Sequence, residues 1–184
     1  DIKEEFIGYL IKYIEEFYGE NIEDNGDYVR IINEKHFNRL IDLMEEDKII
    51  YGGDSNLEKL YISPTIMDNI NWNDKVMEDE IFGPIIPILE YDSIVEVIEE
   101  IKKRPKPLAL YIFSTNEKII DKVINSISFG GGCINDTIMH LTNSNMPFGG
   151  VGNSGMGHYH GKYSFDTFTH YKGISDKSLS PDVE

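Results

Sequence analysis

Ile85-Ile86-Pro87-Ile88-Leu89-Glu90-Tyr91-Asp92-Ser93-Ile94-Val95-Glu96-Val97-Ile98 opens the stretch whose rhythm decides the fold. Ile85 to Tyr91 is an apolar run of strand length. Asp92-Ser93 then supplies side-chain oxygens that can cap a helix carrying Ile94, Val95, Ile98 and Ile101 on one face. A second apolar run, Pro107 to Phe113, leads through Ser114-Thr115-Asn116 into a helix through Ile119, Ile120, Val123 and Ile127. A third strand is expected over Gly132 to Thr137. Strand, helix, strand, helix, strand with short connections is the pattern of parallel βαβ units, whose crossovers are right-handed. The sequence therefore predicts an α/β fold with its functional residues in the loops that follow strands.

Upstream, Ile2, Phe6, Tyr9, Leu10, Tyr13, Ile14 and Phe17 recur at helical spacing, with Lys12, Glu15 and Glu16 on the other face, until Gly19 ends the run. The Asn- and Gly-rich acidic segment from Glu20 to Asp27 reads as a loop. Phe37, Leu40, Ile41 and Met44 predict a second helix over about Asn33 to Glu46, and Gly52-Gly53-Asp54 a turn between short strands. Tyr61 to Ile66 has strand composition, but Pro64 within it predicts an edge or irregular strand. At the other end, Lys162 to Phe168 reads as a short helix leading to a last strand over His170 to Ser175.

The chain has 184 residues, 40% of them hydrophobic, enough for a core without staples. Its 17 Lys and Arg against 33 Asp and Glu give a net charge of -16, which repels phosphate backbones and anionic membrane surfaces, so nucleic acid is not an expected partner. Residues 1 to 100 carry 26 acids and 8 bases, whereas residues 101 to 184 carry 7 acids and 9 bases, so the first part is a solvated acidic surface. No segment reads as a membrane span or a signal peptide. The single cysteine, Cys133, cannot form an internal disulfide, and the expected compartment is the reducing cytoplasm. The chain opens on Asp1-Ile2-Lys3, without Met and already inside a helical pattern, as a piece of a longer chain would.

Four groupings could carry chemistry. Gly150, Gly152 and Gly155 fit a G-x-G-x-x-G spacing, but no strand precedes them and the next acid, Asp166, comes too soon. We read a loop built on backbone turns and close packing. Four of five histidines lie between His140 and His170, including His158 and His160; without an acid or cysteine beside that pair, no metal site is predicted. Cys133 and His140 could be imagined as nucleophile and base. Seven residues apart with nothing to hold them together, they read as a small hydrophobe and an unrelated histidine. In Glu80-Ile81-Phe82-Gly83-Pro84 a carboxylate stands before an aromatic and a forced turn. Its two oxygens match the vicinal hydroxyls of a ribose and the ring could pack on a flat heterocycle. The physics alone favours the plainer reading of an exposed Glu80 with Phe82 in the core.

Pro147-Phe148-Gly149-Gly150-Val151-Gly152-Asn153-Ser154-Gly155-Met156-Gly157, together with Glu80-Ile81-Phe82-Gly83-Pro84, strongly resembles the C-terminal part of aldehyde dehydrogenases. Asn135-Asp136-Thr137-Ile138-Met139-His140, Asn143-Ser144-Asn145 and Tyr159-His160-Gly161-Lys162-Tyr163-Ser164-Phe165-Asp166 are similar to the class 3 and fatty-aldehyde branch. So are Tyr18-Gly19-Glu20-Asn21 and Arg30-Ile31-Ile32-Asn33. The similarity runs from the first helix to about Phe168.

This resemblance implies an α/β catalytic domain with a parallel three-layer sheet of βαβ units, truncated on its N-terminal side. Residues 1–150 would be most of the catalytic domain, and 151–184 the C-terminal helix and oligomerisation strand. It implies NAD- or NADP-dependent oxidation of aldehydes to acids by a cysteine thiolate, hydride transfer, and hydrolysis of a thioester by glutamate-activated water. Glu80 would hold the nicotinamide-side ribose and Phe82 would lie against the nicotinamide. Phe148 would shape the cleft floor, with Asn135 and His140 lining or supporting the substrate side. The family's Gly-Gln-x-Cys nucleophile segment and its catalytic Glu do not occur here, and Cys133 is not at the nucleophile's position, so no catalytic residue is expected in this stretch. The nucleotide-binding domain is likewise expected to lie outside this stretch, and the ending Ser180-Pro181-Asp182-Val183-Glu184 leads us to expect no hydrophobic C-terminal anchor of the fatty-aldehyde type. The stretch alone should be inactive, bind NAD weakly and form a homodimer. The competing readings are a non-catalytic α/β assembly or small-ligand module, and a metal protein using His140, His158, His160 and His170.

Overall fold

The computed structural model describes residues 2–178. They gather into two compact units that part between Glu90 and Tyr91. The terminus from Ser180 to Glu184, on which the expectation of no hydrophobic anchor rests, lies outside the described residues.

The first unit opens with helix α1 (Lys3–Tyr18), which stops where Gly19 turns to φ +77° and returns its N–H to the Glu15 carbonyl at 2.8 Å. Helix α2 (Glu34–Ile41) begins at Asn33, whose side-chain oxygen accepts the N–H of His36 at 3.0 Å. It is shorter than predicted. Leu43 and Met44 donate three residues back, each at 3.1 Å, and this tight turn ends the helix before Glu46.

Five short strands follow: β1 (Ile49–Tyr51), β2 (Ser55–Asn56), β3 (Tyr61–Ile62), β4 (Thr65–Met67) and β5 (Ile85–Pro87). β2 and β3 form a hairpin, while β4 lies between antiparallel β1 and parallel β5, with Thr65 opposite Ile85. The edge strand expected over residues 61–66 is instead two strands, the second central and fully buried at Thr65, Ile66 and Met67. Pro64 falls in the gap between them, so its missing N–H costs the ladder nothing. Its carbonyl lies only 2.0 Å from where a Cβ on Gly52 would stand, and Gly52 has φ +75°. The predicted Gly-Gly turn is thus a requirement of close backbone approach.

The core of this unit joins Phe37, Leu40, Ile62, Met67, Ile70, Val76 and Ile85, with Tyr28 and Tyr61 in a second cluster. α1 corrects the sequence reading. Its buried side is set by Ile7, with Ile14 and Tyr18 packed inward, whereas Phe6, Tyr9, Tyr13 and Phe17 are exposed. The helix carries two apolar faces, and periodicity could not say which one the core takes.

In the second unit, α3 (Ile94–Lys102), β6 (Ala109–Ile112), α4 (Glu117–Ser126) and β7 (Gly131–Ile134) are followed by α5 (Met139–Thr142) and α6 (Gly161–Thr167). β6 and β7 pair in parallel through α4, a complete βαβ unit, so with β4 and β5 the α/β class with parallel ladders stands. Ile98, Val123 and Ile127 close its core. Asn116 caps α4 by accepting the N–H groups of Lys118 and Ile119 at 3.1 and 3.4 Å. β7 ends at Ile134 and not at Thr137, because Asn135 turns to φ +54°. Residues 170–175 form no strand; extended chain needs a ladder partner, and Tyr171 and Ile174 stand exposed.

Two residues test this account of the first unit. A Cβ on Gly83 would stand 2.4 Å from Cδ2 of fully buried Leu40. Gly83→Ala should cost roughly 1–3 kcal/mol in urea unfolding, and an unchanged midpoint would contradict the packing. Asp68 is nearly buried and pairs with Lys3 Nζ at 2.9 Å, while Lys3 also meets Glu90. Burial pushes the Asp68 carboxyl up, but the Lys3 ammonium and the Asn69 N–H outweigh it and hold it below the usual carboxylate range. A carboxyl lowered on folding stabilises the fold above its unfolded pKa of about 3.9, and that stability fades as pH falls through the folded value. Asp68→Asn should lose about 1 kcal/mol at neutral pH, and the gap to wild type should narrow from pH ~5 to ~3. A gap of constant size would show that the charge plays no part.

Candidate functional site

In the first unit, the loop from Glu80 to Pro84 enters β5 from a fixed base. Arg39 Nη2 donates to the Ile81 carbonyl at 2.6 Å, the Thr65 N–H donates to the Pro84 carbonyl at 2.8 Å, and Gly83 lies against Leu40. On this base Glu80 is exposed, with no hydrogen bond or ion pair among the described residues. Phe82 is 78% exposed at φ +45°. The plainer reading, with Phe82 in the core, is therefore wrong: its ring stands in the open on left-handed backbone. A large apolar ring held in the open on strained backbone is the kind of outlier that marks a ligand contact. The unpartnered carboxylate two residues away keeps both oxygens for a diol.

In the second unit the side chains after β7 form a different grouping. Asn135 is committed to the backbone of Ser114: its Oδ1 accepts the Ser114 N–H at 2.8 Å and its Nδ2 donates to the Ser114 carbonyl at 3.0 Å. The amide thus ties together the loops that leave β6 and β7. Phe148 pairs with Tyr159 through reciprocal backbone bonds of 3.0 and 2.9 Å, and its ring centroid lies 5.9 Å from both His140 and His160. Tyr111 adds an edge against His140 and Tyr159 one against His160.

Sequence reasoning did not gather Tyr111, Tyr159 and His160 to this site. What marks them is structural: His160 has φ +94° without being glycine, and Nδ1 of its ring is buried without a partner. Strained backbone of this kind has no periodic trace in sequence.

The glycine loop beyond Phe148 folds onto itself. A Cβ on Gly149 would stand 2.2 Å from the Gly157 carbonyl oxygen, and one on Gly150 at 2.2 Å from Ser154 backbone atoms. Ser154 Oγ accepts the Val151 N–H at 2.9 Å. These glycines serve backbone packing, as expected of a loop that is no dinucleotide fingerprint. Among the described residues no three of His, Cys, Asp and Glu gather as a metal site would need, and no helix is long and apolar enough to cross a membrane.

Cys133 and His140 are the pairing that sequence reasoning set aside. The structure brings Cys133 Sγ to 3.6 Å from His140 Nδ1. The turn after β7, with Asn135 and Ile138 both at positive φ, folds α5 back over the strand and supplies the proximity that the spacing alone did not.

A parallel α/β scaffold, a carboxylate and a ring displayed before a strand, and an aromatic followed by a packed glycine loop together define a class of protein. Residues 1–174 match the model of the aldehyde dehydrogenase family, and the chain belongs to that family. It is 51% identical to the rat aldehyde dehydrogenase family 3 member A2 over 172 residues, covering 91% of this chain and 36% of that protein. With the dog "aldehyde dehydrogenase, dimeric NADP-preferring" it shares 46% over 184 residues, 97% of this chain and 41% of that one. The substrate-bound structure of Staphylococcus aureus AldH superposes with a TM-score of 0.94 at 51% identity, covering all of this chain and 40% of that one. The chain thus spans about two fifths of the length of these relatives and lies in their class 3 branch.

Proposed function

We propose that this chain supplies the nicotinamide-facing and substrate-facing walls of an NAD- or NADP-dependent dehydrogenase that oxidises aldehydes to carboxylic acids. The observation that carries the reading is the loop of Glu80 and Phe82, held on a rigid base with its carboxylate unpartnered and its ring in the open. Bound there, the dinucleotide would accept hydride. Glu80 would accept hydrogen bonds from both ribose hydroxyls, and Phe82 would present a flat apolar face to the adjoining ring. Phe148 would form part of the cleft floor, held by its backbone pairing to Tyr159. Asn135 would fix the two loops beside the substrate, and buried His140 would support Phe148 from behind.

In this reading residues 1–150 contribute most of the catalytic domain and 151–184 the segment that supports assembly. The attacking thiol and the general base come from parts of the dehydrogenase outside this sequence. Its compartment would be the cytoplasm, and its assembly a homodimer. The exposed aromatic face of α1 and the exposed Tyr171 and Ile174 support self-association.

The purified 184-residue chain should reduce no NAD with benzaldehyde or a medium-chain aldehyde; growth of NADH absorbance would overturn the assignment of the missing groups. In the complete dehydrogenase, Glu80→Gln should raise the KM for the dinucleotide roughly tenfold, since it loses a charged bidentate contact. An unchanged KM would remove Glu80 from the cofactor site. By light scattering at high micromolar concentration the chain should have the mass of a dimer or a larger species. A monomeric mass would overturn the assembly reading.

A further inference from the structure

Cys133 is the chain's one thiol, half-buried on β7, and a histidine is built onto it. His140 is only 6% exposed, and its ring is fixed on three sides. Tyr111, which faces Cys133 across the β6–β7 ladder, gives it an edge contact at 5.7 Å, and Phe148 packs on it at 5.9 Å. Gly131 lies on the same side of β7 as Cys133 and leaves the space the imidazole needs, since a Cβ there would stand 2.9 Å from Cδ2 of the ring. Nδ1 faces the thiol at 3.6 Å while Nε2 is buried with no partner.

A buried imidazole normally satisfies both nitrogens. Among the described residues the one hydrogen-bonding partner of its ring is the sulfur, and the aromatic packing holds the imidazole toward it as a base beside a nucleophile. The surroundings select the kind of electrophile. Ile134, Ile138, Met139 and Leu141 are exposed apolar side chains on the segment that leaves β7, and Asp136 is its sole charged residue before Asn145, histidine aside.

We propose that Cys133 is a modification site for apolar α,β-unsaturated carbonyl compounds, with His140 as the group that takes and returns the proton. Nδ1 accepts the S–H proton and the sulfur lone pair forms a bond to the β-carbon. The carbon–carbon π pair shifts to the α-carbon, and the resulting enolate takes the proton back from the imidazolium. The net change is addition of S–H across the double bond, with no oxidant and no leaving group.

Conjugate addition of 3-nonen-2-one to the folded chain, followed by intact mass and peptide mapping, tests the site against a synthetic peptide of residues 130–136 in the same buffer. The native chain should gain one adduct at Cys133 about tenfold faster than the peptide, and folded His140→Gln should fall to the peptide's rate. The native-to-peptide ratio needs no variant, so it decides the matter even if His140→Gln does not fold. A native rate equal to or below the peptide's overturns the proposal. So does a wild-type rate in folded His140→Gln, or an adduct that maps to another side chain.

Discussion

Thr65, Ile66 and Met67 are closed to water, so each backbone donor and acceptor of that strand must find its partner in protein. The constraint is met by sandwiching the strand between β1, antiparallel, and β5, parallel, and much of the first unit follows from it. β5 must arrive in register with Thr65 opposite Ile85, which fixes Pro84 by a direct bond from the Thr65 amide. Gly83 must then pass Leu40 without a side chain, and the chain just before it is pushed outward. The display of Phe82 and Glu80 is a result of satisfying a buried strand. The same constraint reaches back to Gly52, where any side chain would collide with the carbonyl of Pro64.

Much of this was legible in the sequence. The alternation of apolar runs and helices from Ile85 onward predicted the α/β class and the βαβ unit of β6, α4 and β7, with Asn116 capping its helix as read, but β5 pairs with β4 in a different sheet and Ser93 makes no side-chain cap to α3. What local signals could not give is a choice between equivalents. α1 has two apolar faces, and only the tertiary fold decides that Ile7 goes in while Phe6 and Tyr9 stay out. Pro64 implied an edge because proline interrupts a ladder, yet it sits between two strands where no ladder bond is needed.

The candidate site residues were picked out by resemblance more than by physics. Taken alone, Phe82 belonged in a core and His140 was unrelated to Cys133. In both cases the missing information was a left-handed turn at a residue that is not glycine: Phe82 itself in one, Asn135 and Ile138 in the other. Such turns cost of order 1–3 kcal/mol each and persist only where surrounding contacts hold them. His160 is a further instance, beside Phe148. Four of the six such positions, Phe82, Asn135, Ile138 and His160, fall in loops that carry candidate residues, while Leu60 and Asn69 lie elsewhere in the first unit.

The aromatic row on α1 lies within the part of the chain that carries 26 acids against 8 bases, and at helical spacing Glu5 and Glu16 are the acids of α1 nearest its edge. Any two copies brought together there would set like charges face to face while gaining contact between rings. Dissolved ions shorten the reach of the repulsion, to about 8 Å at physiological ionic strength, and leave apolar contact intact. Ionic strength would therefore act on this surface in the sense opposite to its action on an ordinary charge-matched interface, tightening the association and not loosening it.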